Sequence, residues 1–365
     1  MTASATARAR ARARASARPC VRASVRRIAL TLALTPAPVF SLSLHFRTQG
    51  TWAWGNKLLW QYDTDDDETL REAYDLVVSA GVNVFDSADS YGTGKLEGRA
   101  ETLLGDFGER YTGRVPPGGV NVITKLAAYP WRVTAGQMVS ACEASRARLG
   151  GGEDCLALAQ LHWSAAKYAP LQERGMVRGL VEIYERGLAR GVGLSNYGPR
   201  ELARVERQLR EAGVPLASNQ VQYSLLSFQG APGDTKAACD DLGVTMIAYS
   251  PLGLGMLTGK YSASERRLPP GVRGRLMASV LPGAAPLLEC LEMVADERGK
   301  TQAQVAINWT MCKGALPIVG AKDVSQAREN LGALGWRLTD GEVDALEDAA
   351  RMSKGAMTQN VFMTG

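Results

Sequence analysis

The sequence predicts a closed parallel (β/α)8 barrel. The prediction rests on the number of apolar strand-like runs, their alternation with helical patterns, and the polar residues that end three of them. The runs are short and rich in β-branched residues, and they lie at roughly 46–53, 82–86, 120–125, 156–162, 191–195, 217–222, 244–250 and 315–320. Alternating β and α units in this number favour a closed barrel over an open sheet.

A helical pattern follows every predicted strand except the last. In the first of these, Asp66–Ala80, acidic residues crowd the first turn, Leu70, Ala73 and Val77 fall on one face, and Gly81 follows the end. Acidic residues at a helix N-terminus and glycine beyond its C-terminus mark helix boundaries. The apolar face is expected to pack on the strands.

A long Gly/Pro-rich segment, 252–283, follows the seventh predicted strand and is expected to be a loop. An amphipathic segment at 287–297, a helix at 302–313 and a last helix near 340–352 come after it. Long connections inside compact domains are usually functional. Because the loops that follow the strands of such barrels build the active site, this segment is predicted to lie on the functional face.

The chain has 365 residues, and we expect one barrel domain at 41–365 behind a leader at 1–40. The formal net charge of +5 is misleading, because no acidic residue precedes Asp63 while ten basic residues do. Taking those ten from the 42 basic residues leaves 32 against 37 acidic residues. The body is therefore mildly acidic, which argues against nucleic-acid binding.

Residues 1–40 resemble an organelle transit peptide, because they are rich in Ala, Arg, Ser and Thr and have no acidic residue. We expect this leader to be disordered, and a basic disordered arm is the alternative interpretation. The apolar run Ile28–Leu34 is too short to span a bilayer, so no membrane association is predicted. His45, between the leader and the first strand, has no assignable role.

Cysteine and histidine usage argues against disulfides and metal. No two of the six cysteines form a C-x-x-C pair, and free thiols are the expectation for Cys20, Cys142, Cys155, Cys239, Cys290 and Cys312. With two histidines in the chain, a zinc site would consist mostly of carboxylates, and none is predicted.

Four polar residues lie at or just beyond the ends of the second, third and fourth predicted strands. They are an acid, a phenol, an ammonium and an imidazole: Asp86, Tyr91, Lys125 and His162. Neighbouring parallel strands end at the same rim, so these groups are expected to converge. Each residue alone has an ordinary structural explanation, but together they can donate a proton to a carbonyl oxygen without a metal.

The Gly-rich segment at 251–260 is neither of the common nucleotide loops. Leu254 replaces the first glycine of a Walker A motif and Tyr261 its Ser/Thr, while Thr258 replaces the third glycine of a Rossmann motif. Two interpretations stay open: a loop whose amides and Lys260 approach a ligand phosphate, or an ordinary surface loop.

Residues 85–92, FDSADSYG, resemble the FD[ST]AxxYG motif of the aldo-keto reductases. Other motifs follow in the order of that family: GTW at 50–52, Lys125, LHW at 161–163, GLSN at 193–196, NQV at 219–221, YSPL at 249–252 and GAK at 320–322, followed by Glu329-Asn330. The resemblance covers about residues 46–352. It implies a TIM barrel of the aldo-keto reductase type that holds NADPH across its C-terminal rim without a Rossmann domain.

The resemblance also implies the reaction, which is the reduction of an aldehyde to a primary alcohol. Tyr91 is the implied general acid, and His162 is implied to hydrogen-bond the carbonyl oxygen. An ammonium beside a phenol favours phenolate, so we expect Lys125 to lower the pKa of Tyr91, and Asp86 to hold Lys125 in place.

The implied cofactor residues fall into three groups. Tyr249 stacks on the nicotinamide, and Ser195, Asn196 and Gln220 bind its carboxamide. Ser250, Leu252 and Lys260 line the path of the pyrophosphate. Lys322 binds the adenosine 2′-phosphate as a point charge. The other implied cofactor contacts are Thr51, Trp52, Gln326, Glu329 and Asn330.

Within the family, the chain resembles plastid members of plants that reduce pyridoxal to pyridoxine, on stretches such as GTWAWGNKLL at 50–59 and YSPLGLGMLTGKY at 249–261. Plastid import is therefore favoured over mitochondrial import. Trp52, Trp54 and Trp131 are candidate walls for a flat aldehyde, with core packing as the competing interpretation. We expect a monomer or a weak homo-oligomer.

Two alternatives share the same residues. One is a plastid reductase of broad specificity that removes reactive carbonyls. The other belongs to a different class, a redox-sensing subunit with slow turnover, as in the reductase-like β-subunits of potassium channels. Nucleic-acid binding through the basic leader is a third, which fails if the leader is cleaved.

Overall fold

The strands form a closed barrel in sequence order, in which every neighbouring pair is parallel and β1 closes on β8. The computed structural model describes residues 47–92, 97–151, 156–262, 264, 267–355, 357 and 362–364. The leader 1–40, His45, Cys20 and Cys155 lie outside this range. The predicted (β/α)8 fold is confirmed by eight strands: β1 Thr48–Gly50, β2 Val84–Asp86, β3 Asn121–Leu126, β4 Leu158–Leu161, β5 Val192–Ser195, β6 Leu216–Gln222, β7 Thr245–Tyr249 and β8 Leu316–Gly320.

Helices alternate with these strands. The α-helices of the described chain are Lys57–Trp60, Asp67–Ser79, Arg99–Arg110, Ala135–Arg148, Pro170–Glu185, Pro199–Glu211, Ala231–Asp241, Gly271–Val280, Ala285–Arg298, Gln302–Cys312, Val324–Leu331 and Asp340–Met352. The helix Asp67–Ser79 lies within the predicted span and buries Leu70, Ala73 and Val77 as its spacing predicts.

Two predictions about these connections are wrong. A short helix, Val324–Leu331, does follow the last strand; it buries only Ala327, so its sequence lacks a strong apolar period. The segment 252–283 is not a continuous loop, because it contains the 3-10 turn Gly253–Thr258 and the helix Gly271–Val280. Pro270 occupies the N-cap of that helix, where proline is tolerated, so the Gly/Pro content concealed a helix.

The inside of the barrel is filled on the side of the strand N-termini. The buried side chains that pack there are Val84, Ile123, Leu158, Ile247, Leu316 and Ile318. Such a layer makes the barrel a packed core and not a pore. Polar side chains replace this layer toward the carboxyl ends of the strands, where Asp86, Lys125 and Gln220 are buried.

One helical stretch of the described chain, Gly271–Arg298, is long and apolar enough to cross a membrane by composition. In the structure it consists of two helices separated by the 3-10 turn Leu281–Ala284, which contains Pro282. Leu287, Leu291 and Val294 of the second helix are buried in the main hydrophobic core. The apolar composition is therefore used for packing on the barrel.

Candidate active site

An ion pair lies at the carboxyl ends of β2 and β3. Lys125 Nζ donates to both carboxylate oxygens of Asp86, over 2.9 and 2.7 Å, and to the carbonyl oxygen of Ser87 over 2.7 Å. An ammonium has three donors, so all of them are used. The structure thus contains the expected pair, with both side chains buried.

Burial disfavours the charged forms of Asp86 and Lys125, and their hydrogen bonds favour them. Burial raises the pKa of Asp86 and lowers the pKa of Lys125, while the attraction between the two charges opposes both shifts. Gln220 also donates to Asp86, over 2.7 Å. Because every donor and acceptor of the pair is matched, the geometry is that of an ammonium bonded to a carboxylate.

Tyr91 and His162 lie beside the pair. Lys125 Nζ is 4.8 Å from the centre of the Tyr91 ring, and the Tyr91 and His162 rings meet edge to face at 5.9 Å. Ser90 Oγ lies 3.2 Å from His162 Nδ1. Burial, and then the charge of Lys125, lower the pKa of His162 well below its ordinary value, so the imidazole is neutral.

The pKa of Tyr91 differs from the sequence-based expectation. Burial, followed by the negative charge of Asp86, raises this pKa well above its ordinary value, whereas the prediction was a lower pKa. The prediction considered the ammonium of Lys125 alone, whereas the buried site removes Tyr91 from water and places the charge of Asp86 near it. Tyr91 is therefore a protonated phenol at neutral pH.

A cavity of about 790 Å³ opens from these four residues along the rim of the barrel. Asp86, Tyr91 and His162 line it, and Lys125 lies beneath. Twelve of the predicted cofactor residues line it as well: Trp52, Ser195, Asn196, Gln220, Tyr249, Ser250, Leu252, Lys260, Lys322, Gln326, Glu329 and Asn330. The structure therefore brings together residues that are up to 278 positions apart in the sequence.

Thr51 is the predicted cofactor residue that does not line the cavity. Its side chain is fully buried and its hydroxyl donates to the carbonyl oxygen of Asp86 over 2.9 Å. The hydroxyl is thus used to fix the end of β2. A cofactor contact by Thr51 therefore stays a prediction.

The predicted carboxamide-binding residues form a connected group. Ser195 Oγ donates to the carbonyl oxygen of Gln220 over 2.9 Å, and Asn196 Nδ2 donates to the carbonyl oxygen of His162 over 3.0 Å. Tyr249 donates to Asn196 Oδ1 over 2.9 Å. These bonds tie the ends of β4, β5, β6 and β7 to one another.

Backbone strain is concentrated along the same cavity. Asn196, Ser250 and Leu254 line it and have positive φ angles of 65°, 52° and 57°. Asparagine tolerates this conformation, but serine and leucine adopt it at a cost of about 1–3 kcal/mol each. Strain of this kind is typical of ligand sites.

Lys322, the predicted ligand of the 2′-phosphate, lines the cavity together with the predicted cofactor residues Gln326 and Asn330. Lys322 Nζ donates to the carbonyl oxygen of Trp60 over 2.9 Å, and Gln326 Oε1 accepts from the backbone N–H of Lys322. Asn330 Nδ2 donates to the carbonyl oxygen of Gly320 over 3.2 Å. This part of the cavity is therefore built around the start of the helix Val324–Leu331.

The sequence did not reveal Arg273 as a cavity residue. It projects from the helix Gly271–Val280 and lies over the Trp60 ring at 4.7 Å and the Tyr261 ring at 5.1 Å. Its position in the cavity was not predicted, because the segment that forms this helix was expected to be a loop. With Lys260 and Lys322, it supplies a third cation to the cavity wall.

The C-terminal residues were missed as well. Phe362 stacks on Trp163 with ring centres 4.6 Å apart, and both rings line the cavity. Thr364 holds this end of the chain, because its Oγ1 accepts from Gly198 N over 2.8 Å and its N–H donates to the carbonyl oxygen of Asn196 over 3.1 Å. No local pattern in the sequence predicts these contacts.

Only one of the three predicted substrate-wall tryptophans lines the cavity, and that is Trp52. Trp54 is 1% exposed, donates from Nε1 to the carbonyl oxygen of Ala321 and packs on Phe107, so core packing is the correct interpretation. Trp131 is 63% exposed and stacks on Tyr129 outside the cavity lining.

This barrel and its site define the class of protein. The chain belongs to the aldo/keto reductase family, whose model matches residues 48–351. It is therefore an oxidoreductase of that family.

Individual relatives of this chain are known by names more specific than that family description. The chain is 54% identical, over 316 residues and 86% of each chain, to the chloroplastic pyridoxal reductase of Arabidopsis thaliana. Among solved structures it is similar to the glycerol dehydrogenase of Gluconobacter oxydans, at 23% identity and a TM-score of 0.66 over 87% of this chain and 94% of that one. It is also similar to an aldo/keto reductase of Klebsiella pneumoniae in complex with NADP and acetate, at 23% identity and a TM-score of 0.64 over 86% and 94%.

Proposed function

We propose that this protein reduces an aldehyde to a primary alcohol with NADPH, and that the aldehyde is pyridoxal and the product pyridoxine. The observation that carries the proposal is the placement of the Asp86–Lys125 ion pair beside Tyr91 and His162 at one wall of the cavity. This arrangement supplies a proton donor and a carbonyl-orienting group at the same place. Membership of the family and the 54% identical pyridoxal reductase support it.

The residues of the cavity fit a phosphorylated dinucleotide. Near Tyr91, the side chains of Ser195, Asn196 and Gln220 offer the hydroxyl and amide groups that an amide ligand needs. Farther along the cavity, three cations match phosphate groups: Lys260, Arg273 and Lys322. When bound, NADPH supplies a hydride for the carbonyl carbon. The Klebsiella pneumoniae structure, which contains NADP, supports this cofactor.

His162 is the group that orients the aldehyde. The carbonyl oxygen only accepts hydrogen bonds, so the neutral imidazole must present an N–H to it. Ser90 Oγ lies 3.2 Å from Nδ1, and we assign its hydroxyl as the donor in this bond. This assignment places the imidazole proton on Nε2, so that Nε2–H bonds the carbonyl oxygen. A neutral donor is suitable here, because the low pKa of His162 prevents it from competing with Tyr91 as the acid.

Tyr91 donates the proton. Its O–H bond breaks as the carbonyl oxygen takes the proton, and the pair of electrons remains on the phenolate oxygen. The Lys125 ammonium 4.8 Å from the ring centre stabilises that developing negative charge. Asp86 keeps the ammonium in place, so the three residues act as one unit, with Tyr91 as the only one that transfers a proton.

The walls of the cavity suit a flat aromatic aldehyde. Trp52 lines the cavity, and so do Trp163 and Phe362, whose rings are stacked on each other. Aromatic faces of this kind bind planar rings by stacking.

We also propose plastid import of this chain, supported by the chloroplastic relative and by the basic, acid-free sequence of residues 1–40.

The test is NADPH oxidation by the purified protein with pyridoxal, beside aliphatic and benzylic aldehydes at matched concentrations. We expect pyridoxal to have the highest kcat/KM, with pyridoxine as the product by chromatography. Equal kcat/KM across the panel would contradict the pyridoxal assignment and indicate a broad aldehyde reductase. Tight NADPH binding with no turnover of any aldehyde would contradict the reductase and indicate a sensing subunit.

A further inference from the structure

Gln220 and Asp86 are bonded across the mouth of the barrel. Gln220 lies on β6 and Asp86 on β2, and these strands stand on opposite sides of the eight-stranded barrel. The Gln220 amide Nε2 donates to Asp86 Oδ1 over 2.7 Å, and both side chains are buried. The bond therefore joins β6, which carries one of the residues predicted to bind the cofactor carboxamide, to the group of residues proposed to donate the proton.

The chemistry of the two groups fixes the direction of this bond. An ionised carboxylate only accepts, so the amide must turn an N–H and not its oxygen toward Asp86. A primary amide has two N–H donors and one acceptor oxygen. The bond to Asp86 uses one of these three groups, and the same side chain keeps the capacity to bind the carboxamide of a cofactor.

Asp86 accepts three hydrogen bonds from two side chains, two from Lys125 and one from Gln220. We propose that Gln220 is a positioning residue for proton donation: its N–H holds Asp86 as a carboxylate that faces Lys125, and so keeps the ammonium charged beside Tyr91. This inference rests on the proposed function, and it goes beyond cofactor binding by Gln220. The Gln220 amide then serves both the cofactor-binding residues and the proton-donating residues.

Other charged groups around the pair come from a few elements. Strands β1, β5, β6 and β8 contain no titratable side chain. The titratable groups that interact with Asp86 or Lys125 from the remaining elements are Tyr91, His162, Asp89 and Glu101, and Tyr249 interacts with Tyr91. Among the groups that bond Asp86 directly, Gln220 is the neutral donor and Lys125 the charged one.

The first experiment is the pH profile of kcat for Gln220→Met, which keeps the side-chain length and removes the amide. Without this donor the carboxylate is less stable, so Asp86 takes up a proton at higher pH. We expect the acid limb of the profile to move up by about one pH unit, as for the loss of one charge-assisted hydrogen bond. Gln160→Met is the matched control, because Gln160 is a buried amide on β4 that bonds the neutral hydroxyl of Ser218.

The second experiment does not need turnover. The bond from Gln220 is stronger when Asp86 is ionised, because it is then charge-assisted, so its contribution to stability is greatest above the pKa of Asp86 and decreases as the pH falls through that pKa. The difference in Tm between the wild-type protein and Gln220→Met should therefore be larger at a pH above the pKa of Asp86 than at a pH below it. In an Asp86→Asn background, Gln220→Met should lose this pH dependence.

These measurements separate the two roles of Gln220. A shifted acid limb and a pH-dependent Tm difference, neither of them seen for Gln160→Met, support the inference. An unchanged acid limb and a pH-independent Tm difference, with weaker NADPH binding by fluorescence, would overturn it and leave a cofactor ligand alone. If the wild-type protein reduces no aldehyde, the proposed function fails, and the Tm difference still decides the Gln220–Asp86 contact. Gln220→Asn, one methylene too short to reach Asp86, repeats the test if the Met variant does not fold.

Discussion

Ser90 Oγ lies 3.2 Å from His162 Nδ1, so the hydroxyl engages one of the two ring nitrogens of the imidazole. Ser90 belongs to the same loop as Tyr91, so the loop that carries the proposed acid also contacts the histidine proposed to bind the carbonyl oxygen. The two functions therefore depend on one short segment between β2 and the helix Arg99–Arg110.

Replacing Ser90 by alanine is expected to lower kcat/KM for the aldehyde about tenfold, since one hydrogen bond is worth roughly 0.5–1.5 kcal/mol. Without the Ser90 hydroxyl, the proton of the neutral imidazole is free to occupy Nδ1, and Nε2 then no longer donates to the carbonyl oxygen. Steady-state kinetics with NADPH at saturation measure the effect, and the Kd for NADPH serves as control. A change in that Kd with unaltered kcat/KM would contradict the assigned role.

The raised pKa of Tyr91 predicts the alkaline behaviour of the reaction. Its ordinary value is about 10, and burial together with Asp86 raises it further. The protonated donor is therefore fully present at neutral pH and is lost only as the pH rises through the raised pKa. We expect kcat for aldehyde reduction to show no loss up to about pH 9. A fall in kcat between pH 7 and pH 9 at saturating substrate would indicate an acid with a lower pKa.

Lys322→Ala is expected to distinguish the phosphate-bearing cofactor from its analogue. Lys322 lines the cavity and supplies a positive charge there. A charged contact to phosphate is worth roughly 1.5–3 kcal/mol, so the KM for NADPH should rise at least tenfold. The KM for NADH should change little, because NADH lacks the 2′-phosphate. Equal shifts for both cofactors would show that Lys322 does not bind that group.

Trp52 and Trp54 form a matched pair for separating substrate contact from packing. Trp54→Ala should lower the free energy of unfolding by about 3–5 kcal/mol, because the ring is buried against Phe107. Trp52 is 36% exposed and lines the cavity. Trp52→Ala should therefore raise the KM for pyridoxal and lower the free energy of unfolding only slightly. Chemical denaturation and kinetics of both variants test this, and the reverse pattern would contradict the assignment.

The four residues around Tyr91 could be predicted because parallel strands end at one rim and the polar residues follow those ends directly in the sequence. Their electrostatics could not be predicted, since the pKa of Tyr91 depends first on the burial of its side chain and then on the nearby charge of Asp86. Only the folded chain shows that burial and that proximity.

Other parts of the site come from through-space contacts. Phe362 reaches Trp163 from the end of the chain, about 200 residues away, and Arg273 projects from a helix whose glycines and prolines suggested a loop. The burial of Trp54 depends on Ala321 and Phe107, which belong to distant elements. Sequence periodicity reports which face of an element is apolar, and it does not report which partner covers that face.

The central claim is that Tyr91 gives its proton to the aldehyde. The most direct test compares the wild-type protein with Tyr91→Phe in NADPH oxidation by pyridoxal, with NADPH affinity measured separately by fluorescence. We predict a loss of kcat of at least about 100-fold, as for the removal of a general acid, with the Kd for NADPH unchanged. A Tyr91→Phe protein that still reduces pyridoxal at a rate within a few-fold of wild type would contradict the account.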